Sequence, residues 1–425
     1  MRAPAPGSPP PARGPRRRRF ALTALAAALL VLPALRWVSQ PSVVAGAILG
    51  RAGAALGLEI EARGASEYRL RGTPRLVLRE VTVREPGAAT PLLRAERIAL
   101  EVPWATLRSR GADLALARIE LDAPRLELGA LQRWQAKRPP GPAMRWPRLG
   151  DGLRVTRGTL LGDGWRIEAL DLDLPSFHPD RPGTARLQGR ARFGTTRVPF
   201  ALHAALTRPR AGAGLGVAGG LGVETPGVSL PMRVRLSGRV RAGADGLGLD
   251  ALKFGAQARY RGGGAELPFA LGLAGPLRYR GGALALAPLG VALRGGNAIP
   301  TLDAHGALRL GGRMDLRLQG VLADWPAGWP ALPAPLDRAG APLPFALDYR
   351  GGADFSGPAA LQLRRAGAEF DGGFRLPELL AWVDAGASPS PLPPLRGRLR
   401  APALELAGAR LEGVEVEFDD AGAAP

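Results

Sequence analysis

The chain contains no cysteine. A disulfide framework, a cysteine-ligated zinc and a thiol nucleophile are therefore excluded. Histidine is scarce: the three residues, His178, His203 and His305, lie far apart and at no metal-ligand spacing. Lysine is scarcer still, with only Lys137 and Lys253, so arginine carries the basic charge. Aromatic residues make up 5%, too few for the two interfacial girdles of an outer-membrane β-barrel. No Gly-x-Ser-x-Gly elbow occurs. The glycine strings Gly262-Gly263-Gly264 and Gly351-Gly352 lack the strand-then-helix context of a phosphate loop and read as hairpin turns. These absences give catalysis no foothold, and they point to no cofactor and no metal. The expectation is a protein that is not an enzyme.

What is present begins with one apolar run. Residues 20–38, FALTALAAALLVLPALRWV, follow Arg16 to Arg19. Nineteen residues rising ~1.5 Å each span roughly 28 Å, close to the hydrocarbon thickness of a bilayer. Six arginines and no acidic residue precede the run, which places residues 1–19 in the cytoplasm and the rest outside. Arg36 can snorkel and Trp37 suits the interface. A cleaved signal peptide ending near Ala45-Gly46-Ala47 is the competing reading. The long polar gap before that site favours an uncleaved single-pass anchor, and both readings export the bulk of the chain. Ser42 then caps a short helix over 43–56, with Val44, Ile48, Leu49 and Ala52 on one stripe and Gly57 as its stop. Residues 39–57 read as a helix that covers the first sheet edge.

Beyond residue 57 the pattern has period two, the mark of strands with one shielded face. It is plain at Leu170-Asp-Leu-Asp-Leu174, Leu252-Lys-Phe254, Met314-Asp-Leu-Arg-Leu318 and Val414-Glu-Val-Glu-Phe418. The expected fold is mostly β: an elongated, twisted antiparallel sheet curved into an open groove. Its apolar lining is expected to include Leu170, Leu172, Leu174, Leu252, Phe254, Met314, Leu316, Leu318, Val414, Val416 and Phe418. The organisation reads as a β region over 58–133, a proline-rich linker over 134–150, and a repeating β-meander over 151–425. Three breaks rich in Pro and Gly are expected at Lys137 to Pro147, Arg208 to Pro231 and Trp325 to Pro344. The tetrapeptide Pro-Phe-Ala-Leu recurs at Pro199, Pro268 and Pro344, 69 and 76 residues apart, which suggests stacked hairpin units. Trp325 and Trp329, set among prolines, read as packing that plugs one end.

The formal net charge of +20 invites a nucleic-acid reading. The arginines, however, are scattered along strands with no nucleic-acid-binding motif, so no nucleic-acid partner is expected. A basic surface would favour anionic headgroups instead.

The residues Tyr68-Arg-Leu-Arg-Gly-Thr-Pro-Arg-Leu-Val-Leu-Arg-Glu-Val-Thr-Val83, Pro91 to Leu100 and Ile119-Glu-Leu-Asp-Ala-Pro-Arg-Leu-Glu-Leu128 carry a family resemblance. From about Glu59 to Leu128 the chain resembles the N-terminal region of the AsmA family, and Leu404 to Asp420 is similar to its closing strands. The resemblance implies an inner-membrane protein of a Gram-negative envelope that projects a β-groove into the periplasm. It implies a part in outer-membrane biogenesis and phospholipid transport, with membrane lipids as partners. The chain is short beside the longest members of that family.

Physics reaches a compatible expectation independently. A sheet with one apolar face must pack on a second layer, close on itself, or be covered by something apolar. Few amphipathic helices are available as that layer, so acyl chains of phospholipids are the expected cover. The rival reading is a periplasmic scaffold whose groove binds protein, as a component of outer-membrane protein assembly or of secretion.

Overall fold

The computed structural model describes residues 49–419, except 51–52, 55, 65–66, 109–114, 138–147, 210, 244–245, 297, 328, 330–331, 333–335, 337–340, 353, 385–393 and 407–408. Strand accounts for 68% of the structure, which is a long curved antiparallel sheet with few helices. In the first region lie β1 (Glu59–Ala62), β2 (Glu67–Arg69), β3 (Arg75–Arg84), β4 (Leu93–Glu101), β5 (Ala115–Leu116), β6 (Arg118–Asp122), β7 (Arg125–Glu127) and β8 (Arg148–Leu149). There follow β9 (Leu153–Gly162), β10 (Trp165–Leu174), β11 (Gly183–Phe193), β12 (Thr196–Leu206), β13 (Gly214–Thr225), β14 (Val228–Gly243), β15 (Gly246–Gly262) and β16 (Ala265–Arg280). The last eight are β17 (Ala283–Arg294), β18 (Leu302–Leu310), β19 (Met314–Leu322), β20 (Leu343–Gly351), β21 (Pro358–Arg365), β22 (Ala368–Arg375), β23 (Leu395–Leu406) and β24 (Ala409–Asp419). Helices α1 (Trp104–Arg108), α2 (Leu128–Ala136) and α3 (Leu376–Asp384) interrupt them.

Twenty-two strands share one sheet, and β5 pairs with β8 alone. From β9 to β24 every strand pairs with its sequence neighbour, antiparallel throughout. At the other end β3 pairs with β1, β2 and β4, and β4 with β6 and β7. The join is parallel, β6 and β7 lying against β9. The two β regions thus share one sheet across residues 134–150. Arg157 staples the join, its guanidinium donating to Glu96 and Asp122 at 2.8 and 2.9 Å.

Tight glycine turns keep the meander in register. Gly263 and Gly264 join β15 to β16, and Gly281 and Gly282 join β16 to β17, all with positive φ as a two-residue hairpin demands. Curvature comes from an aligned set of bulges. The extra residues lie on β15, where the register slips between Leu249 and Lys253 against both β14 and β16, and on β17, where it slips between Leu286 and Gly290 against both β16 and β18. A bulge bends its strand and adds twist, so a column of them folds the sheet along a line. A further bulge at Ala169, with φ of 49°, is held by Asp171. That carboxylate accepts the Arg157 backbone N–H at 2.8 Å and the Gln188 amide at 2.9 Å. These bonds, the backbone one foremost, hold Asp171 below the usual carboxylate range.

Several expectations need correction. The expected break at Arg208 to Pro231 is mostly strand: β13 runs through it and β14 begins at Val228. One of its glycines serves close approach, since a side chain at Gly219 would overlap the Ala201 carbonyl. Residues 128–136, expected as strand end and linker, form α2, whose Trp134 indole donates to the Leu56 carbonyl at 3.1 Å. The anchor expected over 20–38 lies outside the described residues, as do 138–147 of the first expected break. Of the helix expected over 43–56, residues 49–50, 53–54 and 56 are described and are helical. Among the described residues no helix is long and apolar enough to cross a membrane.

Candidate functional site

Residues directly opposed on antiparallel strands share a face, so register alone traces what each face carries. One row runs without interruption from β11 to β24. On β11 to β17 it reads Ala185, Ala204, Val217, Leu236, Phe254, Leu273 and Val291. On β18 to β24 it continues as Ala304, Gly320, Phe345, Leu363, Phe370, Leu399 and Val416. No polar side chain enters it. At about 4.8 Å per strand the row is roughly 62 Å long. A parallel row of Leu187, Leu202, Gly219, Val234, Ala256 and Leu271 flanks it on the same face.

The row is covered unevenly. At β20, β21 and β23 it is closed: Phe345, Leu363 and Leu399 are 8%, 2% and 4% exposed. They belong to one cluster that also holds Leu318, Leu322, Leu343 and Leu336. Leu336 comes from the connection between β19 and β20, residues 323–342, as do Trp325 and Leu332, which pack against the same cluster. Trp325 and Trp329 meet edge to face at 5.0 Å, and the Trp329 indole donates to the Ala298 carbonyl at 2.8 Å. Arg365 clamps the segment by donating to the Leu336 carbonyl at 2.7 Å and to the Ala341 carbonyl. Over β11 to β17 the described chain lays no such segment on the face. Ala185, Ala204, Val217, Leu236, Phe254, Leu273 and Val291 are all only half-buried.

The opposite face is polar, and its charges differ between the two halves. Strands β19 to β24 carry nine arginines and nine carboxylates. Many form cross-strand ion pairs, such as Arg317–Asp348, Arg396–Asp419 and Arg400–Glu415. Strands β11 to β14 carry eight arginines and one carboxylate, Glu224.

The structure sets the expected lining residues on the apolar side and divides them among three places. Leu252, Met314 and Leu318 are buried, with Leu316 half-buried beside them. Phe254 lies in the half-exposed stretch. Leu170, Leu172 and Leu174 on β10, next to the join at β9, and Val414 and Val416 on β24, the last strand, are half-buried. Phe418 pairs with Gly397 through its backbone, and its side chain lies outside the described ones. Lys253 and Arg317 point the other way and are exposed. Val217, in the same half-exposed row, was not singled out because the glycine-rich stretch that holds it reads as a break. Among the described residues no group of three or more His, Asp or Glu converges as metal ligands would.

Comparison with protein-family models, with curated proteins and with solved structures finds no match for this chain.

Proposed function

We propose that this protein is an AsmA-like envelope protein, anchored in the inner membrane by residues 20–38, whose periplasmic sheet forms an open groove shielding phospholipid acyl chains. The observation that carries the reading is the unbroken apolar row, half-exposed from β11 to β17. A face of this length left in water is costly at about 25 cal/mol per Å² of apolar surface, and extended apolar patches mark binding sites. An acyl chain suits it because contact needs only apolar surface of the right width and no directional partner. Transfer along such a path requires no catalytic residue, and the sequence offers none. The groove ends where residues 323–342 fill it, so cargo is held along β11 to β17 and leaves past β10 or over the open side.

A photo-crosslinking residue at Phe254 or Leu236 tests this in cells. Phospholipid adducts are expected at both positions and not at Lys253, one residue away on the other face. Equal labelling at Lys253, or none at Phe254, rejects the groove. Mass spectrometry after gentle extraction is expected to find co-purified phospholipid.

A second reading, a scaffold whose groove binds a protein segment, has one observation behind it. The chain's own Trp325, Leu332 and Leu336 already occupy part of the same face. Crosslinks from Phe254 to a polypeptide instead of lipid select that reading.

A further inference from the structure

The polar face of β11 to β15 is itself hollowed, and its charge is unbalanced. Outward positions on β12 and β13 are small: Ala201 and Ala205, then Gly216, Ala218 and Gly220, with His203 the exception. A side chain added at Gly216 or Gly220 would meet nothing within 4 Å. This low floor lies between two higher strands. Arg186 and Arg190 rise from β11 on one side, and Arg233 and Arg235 from β14 on the other, with Lys253 beyond. The two ridges are three strands apart, about 14 Å. A hollow of ≈ 1020 Å³ occupies this floor, and a second of ≈ 760 Å³ lies across the Arg233/Arg235 ridge over β13 to β17; Ala218, Arg235 and Gly255 line both.

No ion pair engages these cations. Among the described residues no carboxylate lies within ion-pair distance of Arg186, Arg190, Arg233, Arg235 or Lys253, whereas arginines across β19 to β24 pair repeatedly. Asp173, in the wall of the larger hollow, stands opposite Arg186, and Glu168 stands opposite Arg190. Arg233, Arg235 and Lys253 face no carboxylate. Cations without a carboxylate partner are left to solvent counterions, which an anionic ligand would replace.

We propose that this trough binds a phosphate-bearing flexible polyanion that carries no bases. Three features select it. The trough is concave, so a flat bilayer cannot reach its floor. Its backbone groups are already spent in the sheet ladder, so an acidic peptide could not add the main-chain hydrogen bonds that give strand-like ligands their affinity. No Phe, Tyr or Trp faces into it, since Phe200, Phe254 and Tyr260 lie on the opposite face, so nucleobases have no stacking platform. What remains is guanidinium groups, which match phosphate oxygens in pairs. Arg233 and Arg235, two residues apart on one strand, present them about 7 Å from each other.

The test uses the full chain in neutral detergent and inorganic polyphosphate as probe. Binding is expected to weaken steeply between about 50 and 200 mM salt, as counterion release requires. Arg233→Gln with Arg235→Gln is expected to weaken it roughly tenfold or more, and Arg186→Gln alone by less. Arg398→Gln with Arg400→Gln, on the balanced half, is expected to leave it unchanged. Equal loss in that control overturns the proposal, as does absence of binding at low salt. Tighter binding of poly-glutamate, of oligo-deoxythymidine or of phosphatidylglycerol vesicles also overturns it, each naming a different partner. Lipid crosslinking from Phe254 is independent of all these outcomes, so this site and the groove stand or fall separately.

Discussion

Gly306 lies where β18 crosses the bend, opposite Leu318 and beside the bulge at Leu289. A Cβ there would overlap the backbone carbonyl of Arg317, which cannot swing away as a side chain can. Gly255, on the polar face of β15, has open space above it. Gly306→Ala is therefore expected to destabilise by about 1–3 kcal/mol, the usual cost of overpacking, read as a lower denaturant midpoint. Gly255→Ala is expected to stay within about 0.5 kcal/mol, as surface changes do. Similar midpoints for the two variants would show that the bend tolerates a wider approach than its geometry implies. Neither glycine's role can be read from the sequence. Both sit inside alternating strands, and only the neighbouring backbone separates a crowded position from an empty one.

Among the elements, the connection over residues 323–342 does the most to shape the apolar face. Arg365 holds its second half through the Leu336 and Ala341 carbonyl oxygens, and a charged donor to a backbone acceptor is among the stronger single hydrogen bonds. Arg365→Met is expected to raise amide exchange in residues 323–342 and in β21 while leaving β14 and β15 as they are. Unchanged exchange in the segment would assign its hold to Leu336 and the tryptophans alone. This element was partly legible: prolines and two tryptophans marked a plug, but the strands that it covers were not marked. The strands themselves were legible wherever apolar and charged residues alternate, as at Leu252 to Tyr260. They were hidden wherever glycine replaced the apolar partner, as in β13, because period two needs a side chain to be seen. Helix α2 was missed because Leu126 and Leu128 continue the alternation of the strand before it.

Over the whole molecule, the same row changes from half-exposed to buried as it passes from β17 to β20. A charge should therefore have opposite consequences at its two ends. Leu236→Asp is expected to fold normally and lose lipid capture, because its carboxylate can still reach water. Phe345→Asp, at 8% exposure, is expected to disrupt folding by burying an unpaired charge. Circular dichroism and co-purified lipid, measured on both, check this; a Leu236→Asp protein that retains lipid would end the groove reading. The charge asymmetry of the outer face was invisible for a different reason. Arg186, Arg233 and Lys253 are up to 67 residues apart in sequence, and only the register brings them onto one face within five strands.

From β10 to β24 each strand pairs only with the strands made just before and just after it. Such a chain can be assembled in the order of synthesis, with no long loop to close before the next pairing forms. It can also be edited in units. Duplicating or deleting one hairpin leaves both faces in phase and alters the sheet by about 9.6 Å, two strand spacings. Its span is thus a stepwise property that inheritance can adjust one hairpin at a time, without redesigning a core.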